Sequence, residues 1–565
     1  MTSTLRTRLR SMPSLAWARL IRFNILARTT GHQDFASFVA PASEAWMQAL
    51  AAARSGPRVL IATNSGGHFA LSAVDRLLAV ALTVRGGNVT TVLCDGVLSA
   101  CQVCELNMLP DVARFARHGP ARLMCSYCHP PAAARLDALK LPLTTLGDHL
   151  TDADRSAAWE WAQRIPAGQI RTATWEAMGA GEHAYAGALR YFARGTLEGV
   201  PYAEPILRRY LVASIETAMA YQRMIEVLRP DVVVVHHGIY TPQGIVAEVA
   251  RARGVRVVTW NPAYRRHCFI FSHDDTYHHT LMNEPVERWA EYPLDARQRA
   301  DIVAYLRSRR DGDEDWIRFH KDPDYKASAD LGGLGIDSSK PYWVAFTNVF
   351  WDAQLHYPAN AFADQREWLI ETVRWFAQRP ELQLVIRVHP AELSGSPPSR
   401  ELAVDIIRET FSALPPNVVV IPPDSAVSSY VLAERANAAL IYGTKMGVEL
   451  AAAGLPVIVA GEAWVRNKGV TFDASSKTEY FAMLSSLPFR KSVDADRRER
   501  ALAYAYHFFF RRMIPLAFVQ PEPGARRFTV ALDSLRGLMP GADPGLDVVC
   551  QGILRGTPFE MAVVD

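Results

Sequence analysis

The stretch from Leu384 to Ala460 constrains the fold more than any other part of this chain. It opens with Leu-Val-Ile-Arg-Val-His-Pro, Leu384 to Pro390, in which an apolar run ends in a His and a Pro. That pattern is a buried parallel strand with polar residues at its carboxyl end. A helix-like segment leads to a second short strand, Val418 to Ile421, and a third, Ala438 to Ile441, runs into Tyr442, Gly443 and Thr444. Helix-like Met446 to Ala453, then Gly454, then the strand Pro456 to Val459 complete the stretch. Strand, turn and helix alternate at α/β spacing. Ligands in such sheets bind outside the carboxyl ends of the strands, where His389 and Gly443-Thr444 fall. A helix starting just after Gly443 is expected to aim its free N–H groups at an anion.

The N-terminal half repeats the pattern. Arg58 to Thr63 is a strand that runs into Asn64-Ser65-Gly66-Gly67-His68 and then into helix-like Phe69 to Val84. A Gly-rich turn between strand and helix lets backbone approach a ligand, so Gly66 and Gly67 are candidate binding residues and His68 a candidate general base. The competing possibility is a turn that only caps a helix, with His68 solvated. Asp231 to Val235 is a Val-rich strand ending in His236-His237-Gly238. Adjacent side chains on a strand point to opposite faces, so one of the two histidines is expected to face a ligand and a metal site using both is not. His273 to His279 is expected to be a polar loop.

Seven cysteines are present, and five lie between Cys94 and Cys128. Cys101-x-x-Cys104 and Cys125-x-x-Cys128 have the spacing of a four-thiolate site, with Cys94 as a substitute for any of the four. Structural zinc and a 4Fe-4S cluster are both compatible with it, and buried free cysteines are the plain alternative. The expected role is structural, holding a long loop with little core of its own.

A length of 565 residues fits about two large domains, and 21% charged residues with a net charge of +3 argue against a nucleic-acid partner. The boundaries expected are a basic amphipathic segment 1–50, an N-terminal domain 51–325 with a Cys-rich insertion 94–128, a linker rich in Gly, Ser and Asp near 322–340, a C-terminal domain 340–490, and a helical segment 491–565. Met1 to Thr30 carries Arg6, Arg8, Arg10, Arg19, Arg22 and Arg28 and no acid, interleaved with apolar residues. This suits either a helix on an anionic membrane or one packed on the protein. Pro13 sets the earliest helix start. No secretory h-region or membrane span is read, so the expected location is cytoplasmic, peripheral to the inner membrane. Asp313-Glu314-Asp315 is expected to be a solvated acidic turn.

Arg387-Val388-His389-Pro390, with Gly443-Thr444, Glu449 and Gly454-Leu455-Pro456-Val457-Ile458, resembles the donor half of GT-B glycosyltransferases of bacterial capsule and surface-polysaccharide synthesis. The likeness covers the C-terminal half well and the N-terminal half by architecture only. It implies two Rossmann-like domains facing each other across a cleft, and transfer of a sugar from a CMP- or UDP-type nucleotide sugar to a surface glycan or lipid-linked acceptor without a catalytic metal. It further implies that Arg387 and His389 neutralise the departing phosphate, that Gly443, Thr444 and Lys468 contact the donor phosphates, and that Glu449 accepts hydrogen bonds from donor hydroxyls. Gly66, Gly67, His68, His236 and His237 would stand on the acceptor side. A nucleotide-sugar epimerase or hydrolase of the same fold, and a non-catalytic metal-binding assembly module, are the rivals.

Overall fold

The computed structural model describes residues 13–291, 293–310, 314–317, 324, 330–353, 358–486, 495–522 and 528–562. Contacts divide the chain into two compact units. The first comprises Met1–Phe192, Thr196–Tyr277 and Met513–Asp565, the second Ala193–Gly195 and His278–Arg512. Residues 278–325 thus join the second unit, and 513–565 the first.

The first unit opens with helix α1, Pro13–Arg28, which starts at the proline expected to set its limit. Arg6, Arg8 and Arg10 lie outside the described residues. Next come β1 (Arg58–Asn64), α2 (Phe69–Val84), β2 (Asn88–Leu93), α3 (Arg122–Asp137), β3 (Leu143–Thr145), α4 (Ala180–Phe192), α5 (Ala203–Leu228), β4 (Val232–His236), β5 (Arg256–Pro262) and β6 (Cys268–His273). The sheet order is β3-β2-β1-β4-β5-β6, with the short strand Ile514–Pro515 at the far edge. β1 to β5 are parallel, and β6 returns antiparallel to β5. All five residues of β4 are buried, as an uninterrupted Val run covered on both faces requires. The residues His273 to His279 are not a loop. His273 ends β6, donates Nε2–H to the Thr557 carbonyl (2.8 Å) and stacks on Phe559, and Tyr277–Asn283 is helical.

The second unit contains α6 (Ala296–Ser308), β7 (Tyr342–Phe346), β8 (Gln383–Arg387), β9 (Val418–Ile421), β10 (Ala438–Ile441), α7 (Met446–Ala452), β11 (Val457–Val459) and β12 (Phe472–Asp473). Its sheet order is β9-β8-β7-β10-β11-β12, and every pair is parallel. Both sheets therefore run outward from their first strand in one direction and then, with the fourth strand, in the other. This is the Rossmann-like arrangement, and the chain carries it twice. Each sheet is buried in its own core: Leu60, Val92, Val233, Val235 and Val257 in the first, Trp343, Leu384, Ile386, Leu440 and Ile458 in the second.

Asp315 is not solvated. It is buried, accepts from the Tyr305 hydroxyl (2.8 Å) and pairs with Arg309. Asp313 lies outside the described residues, as do 322, 323 and 325–329 of the expected linker.

Leu440 is fully buried in the middle of β10. Leu440→Ala should destabilise the protein by about 2–5 kcal/mol, since the strand is held on both sides and the void cannot collapse. Urea denaturation checks this, and a loss below about 1 kcal/mol would mean the second core is loosely packed.

Candidate functional sites at the two strand-order reversals

In a doubly wound sheet the crossovers leave from opposite faces on either side of the order reversal, which opens a crevice between two carboxyl ends. In the first unit the reversal lies between β1 and β4, and in the second between β7 and β10. The polar turns singled out in the first unit follow β1 and β4. Those in the second follow β8 and β10.

In the first unit Asn64 closes β1 at φ +52°, held by the Tyr221 hydroxyl on its Oδ1 (2.7 Å). His68 is the N-cap residue of α2, yet its side chain makes no capping hydrogen bond. His236 donates Nε2–H to Asn261 Oδ1 (3.1 Å), and its Nδ1 is buried with no hydrogen-bond partner among the described residues. Burial, followed by the charges of His237 and His68, holds its pKa well below the ordinary histidine value. That coupling places the His68, His236 and His237 rings in one electrostatic neighbourhood. His237 adopts φ +65°, and its ring packs against those of Tyr240, His236 and Tyr277 at centroid distances of 5.2, 5.6 and 5.8 Å.

Gly66 and Gly67 are not open to a ligand in the way expected. A Cβ on Gly66 would stand 2.4 Å from the Cys128 carbonyl oxygen and 2.5 Å from the Ala132 Cβ, and one on Gly67 would stand 2.7 Å from Tyr127. The glycines let the turn close onto α3. Gly67 N–H also donates to Cys128 Sγ (3.1 Å).

Cys94, Cys101, Cys125 and Cys128 line one cavity with Asn64, Ser65, Gly96, Val103 and Met124. Cys104 does not line it; its sulfur lies 3.8 Å from that of Cys101, on the buried side. Cys94 therefore takes the place expected for Cys104. The surrounding segment does not lack a core either, because Leu98, Ala100, Val103, Met108, Leu109 and Phe115 belong to the main cluster of the unit. Burial pushes the Cys94 and Cys125 thiols up to about 12.

In the second unit His389 N–H donates to Thr347 Oγ1 at the end of β7 (3.0 Å). Ala391 N–H donates to His389 Nδ1 (3.1 Å), so the ring proton sits on Nε2. Burial, with the Arg387 and Lys445 charges added, lowers this histidine to about 4. It is a neutral N–H donor at physiological pH, and Lys445 is a cation close enough to act on it. Its ammonium pairs with Glu449. Thr444 Oγ1 accepts from Met446 N–H (3.4 Å), and Gly443 has open space around its Cα, where a Cβ would meet only the Glu462 carbonyl at 3.5 Å. α7 begins after Lys445 and is a short helix of seven residues, so the binding capacity of this turn lies in its side chains rather than in a helix dipole.

Three expected donor contacts have other partners. Arg387 is 1% exposed and its guanidinium donates to the carbonyls of Val388 (3.2 Å), Pro422 (2.6 Å) and Ser425 (3.1 Å), tying the loop after β9 to β8. Lys468 is fully buried, with Nζ on the carbonyls of Met282 (3.0 Å) and Glu284 (2.6 Å), and burial lowers it to about 8. Glu449 accepts from the Tyr430 hydroxyl and pairs with Lys445 and with Arg309 (3.0 Å). Burial raises its pKa, but Arg309 and Lys445 outweigh burial and hold the carboxyl at about 2. Glu449 thus ties Lys445 to Arg309 and Tyr430. Lys445 was legible four residues before Glu449, at the spacing of a helical ion pair. Arg309 gave no local signal.

Glu449→Gln leaves Lys445 buried without its counter-charge and Arg309 with Asp315 alone, and should cost about 3–5 kcal/mol at pH 7. The wild-type carboxyl is held below its unfolded value of about 4.3, so its stabilisation is complete above that pH and disappears as pH falls toward 2. Urea midpoints measured from pH 7 to 3 should fall more steeply for wild type than for the variant. Parallel curves would show that the network contributes nothing.

No family model matches the chain, and no curated protein matches it. Among solved structures it is similar to Thermosulfurimonas dismutans KpsC, a beta Kdo 2,4 transferase, at 12% identity and TM-score 0.32, covering 55% of this chain and 87% of that one. It is similar to the UDP-GlcNAc 2-epimerase of Neisseria meningitidis bound to UDP-GlcNAc at 11% identity and TM-score 0.22, covering 80% of this chain and 98% of that one. It is also similar to CalG4, the calicheamicin glycosyltransferase, at 15% identity and TM-score 0.23, covering 80% of this chain and 94% of that one.

Proposed function

We propose that the protein is a glycosyltransferase that moves a sugar from a CMP- or UDP-type nucleotide sugar to a bacterial surface or capsular glycan, with the donor on the second unit and the acceptor on the first. The observation that carries this is the neutral, Nε2-protonated His389 beside Lys445, Gly443 and Thr444 at the carboxyl edge of a Rossmann-like sheet. A nucleotide phosphate needs preorganised donors and a fixed cation. His389 supplies the N–H at no cost of deprotonation, Lys445 supplies the charge, and the Glu449–Arg309 network keeps that lysine from reorienting. As the sugar–phosphate bond breaks, negative charge grows on the departing phosphate, and these groups stabilise it. Arg387 contributes through its buried charge and by holding the loop after β9. His68 is the candidate to accept the proton of the incoming hydroxyl.

His389→Ala should keep the fold and lower transfer about 10²–10³-fold, as loss of one oxyanion donor does. Thermal protection by CMP, UDP and GDP nucleotides identifies the donor, and product analysis with and without acceptor separates transfer from epimerisation. A folded variant that transfers at the wild-type rate would remove His389 from the chemistry.

Helix α1 supports work at an anionic membrane surface. Its Ala16, Leu20 and Ala27 face inward, Phe23 stacks on Tyr127 of α3, and Asn24 donates to the Leu123 carbonyl (2.8 Å). A second apolar stripe, Trp17, Ile21 and Ile25, is 61, 49 and 60% exposed, with Arg22 and Arg28 beside it and no acid on the helix. That combination suits apolar insertion with cationic flanks. Among the described residues no helix is long and apolar enough to cross a membrane. Trp17→Asp/Ile21→Asp should abolish co-sedimentation with phosphatidylglycerol vesicles. Equal binding to neutral vesicles, or no binding by wild type, would reject membrane docking.

A further inference from the structure

Five cysteines are brought to one place by three separate pieces of chain: the end of β2, the loop that follows it, and α3. Cys125 and Cys128 stand three residues apart on α3 and so share a face. The loop bearing Cys94 to Cys104 is fixed from outside. Glu216 on α5 accepts from Ser99 N–H (3.0 Å) and Oγ–H (3.2 Å), Arg190 on α4 pairs with Glu105 (2.8 Å), and the Tyr210 hydroxyl reaches the carbonyls of Cys101 (3.3 Å) and Cys104 (3.4 Å). Four of the five cysteines line the cavity, and backbone N–H groups are aimed at two of their sulfurs. Gly96 donates to Cys94 Sγ (3.4 Å) and Gly67 to Cys128 Sγ (3.1 Å). Such peptide donors are the outer contacts that orient metal-binding sulfurs.

The spacing of the sulfurs bears on which group fits. A single tetrahedral zinc ion holds its thiolates at an edge of about 3.8 Å. Cys101 and Cys104 meet that distance, but among the described residues no three of these sulfurs lie within 4.8 Å of one another. A four-iron cubane spreads its ligands to roughly 6 Å, because each thiolate binds a different iron corner. Four sulfurs around a cavity, rather than around a point, match the larger group.

We infer that Cys94, Cys101, Cys125 and Cys128 hold a 4Fe-4S cluster that braces the Asn64–His68 turn at the strand-order reversal of the first unit. Two ferrous ions, two ferric ions and four sulfides bind as one group, and each thiol releases its proton as its S–Fe bond forms. No electron is exchanged in loading. Cys104 lies outside the ligand set. The connection to the turn is direct: Asn64 and Ser65 line the cavity, Gly66 is closed against the Cys128 carbonyl, and Gly67 donates to the Cys128 sulfur. The role differs from that of a clip for a coreless loop, since the loop is already packed. It also stands apart from the proposed sugar transfer, because its test reads metal and exchange, not activity.

The full chain, purified without oxygen or reconstituted with equal ferrous and ferric salts plus sulfide, should carry about four irons and four acid-labile sulfides and absorb near 400 nm, roughly as thiolate-bound iron does. Cys94→Ser and Cys125→Ser should lose most of the iron, whereas Cys104→Ser keeps it; circular dichroism melting identifies any variant that fails to fold. One zinc per chain without sulfide, or no iron after reconstitution of the unmutated chain, would overturn the cluster. Loss of iron in Cys104→Ser equal to that in Cys94→Ser would overturn the ligand set. Amide exchange in peptides covering 64–68 should slow severalfold on loading, and unchanged exchange would overturn the bracing role.

Discussion

A parallel sheet covered on both faces can grow outward from its first strand in only two directions, and the change of direction leaves one crevice. That constraint organises both units of this chain. Each strand is joined to its parallel neighbour by a crossover of fixed hand, so reversing the order of addition moves the crossover to the opposite face. Between the two crossovers the carboxyl ends are uncovered. In the first sheet the turns there carry His68 and His236; in the second they carry Thr347 and the Gly443–Lys445 turn, with His389 hooked onto Thr347 from the next strand. The polar residues gather at these points because backbone and side chains there are not needed to fill the core.

Burial of charge organises the polar groups of the second unit. Glu449, Arg309, Asp315 and Lys445 form a network whose members would each be costly alone in a dry interior. Paired, they set the position of Lys445. Arg387 and Lys468 both donate to backbone carbonyls. A basic residue at a strand end is therefore a weak indicator of phosphate contact unless its donors have been counted.

The cysteine segment links the same two themes. Its loop is packed by apolar residues and pinned by Glu216 and Arg190, leaving four sulfurs around a cavity next to the Gly-rich turn. The glycines of that turn are small because a helix backbone lies against them. A Gly-Gly pair after a strand suggests room for a ligand, and here the room is taken by Cys128 and Ala132.

The strands, their buried character and the polar residues at their ends were determined by the sequence alone, because burial on both faces demands continuous apolar runs and a turn demands Gly or short polar residues. The start of α1 at Pro13 and the Val run of β4 are of this kind. Tertiary structure decided which of the named polar groups are committed to the protein itself. Asp315 belongs to an acidic run that suggests solvation, yet it is buried on Arg309, a partner that local pattern cannot supply. Glu449 has the chemistry to meet a hydroxyl and is saturated by residues up to 140 positions away in sequence. Cys94 displaced Cys104 at the cavity because the loop's fold, not its spacing, sets where a sulfur points. Periodicity reports which face of an element is buried; it carries no information on the distant partner that meets a charge there.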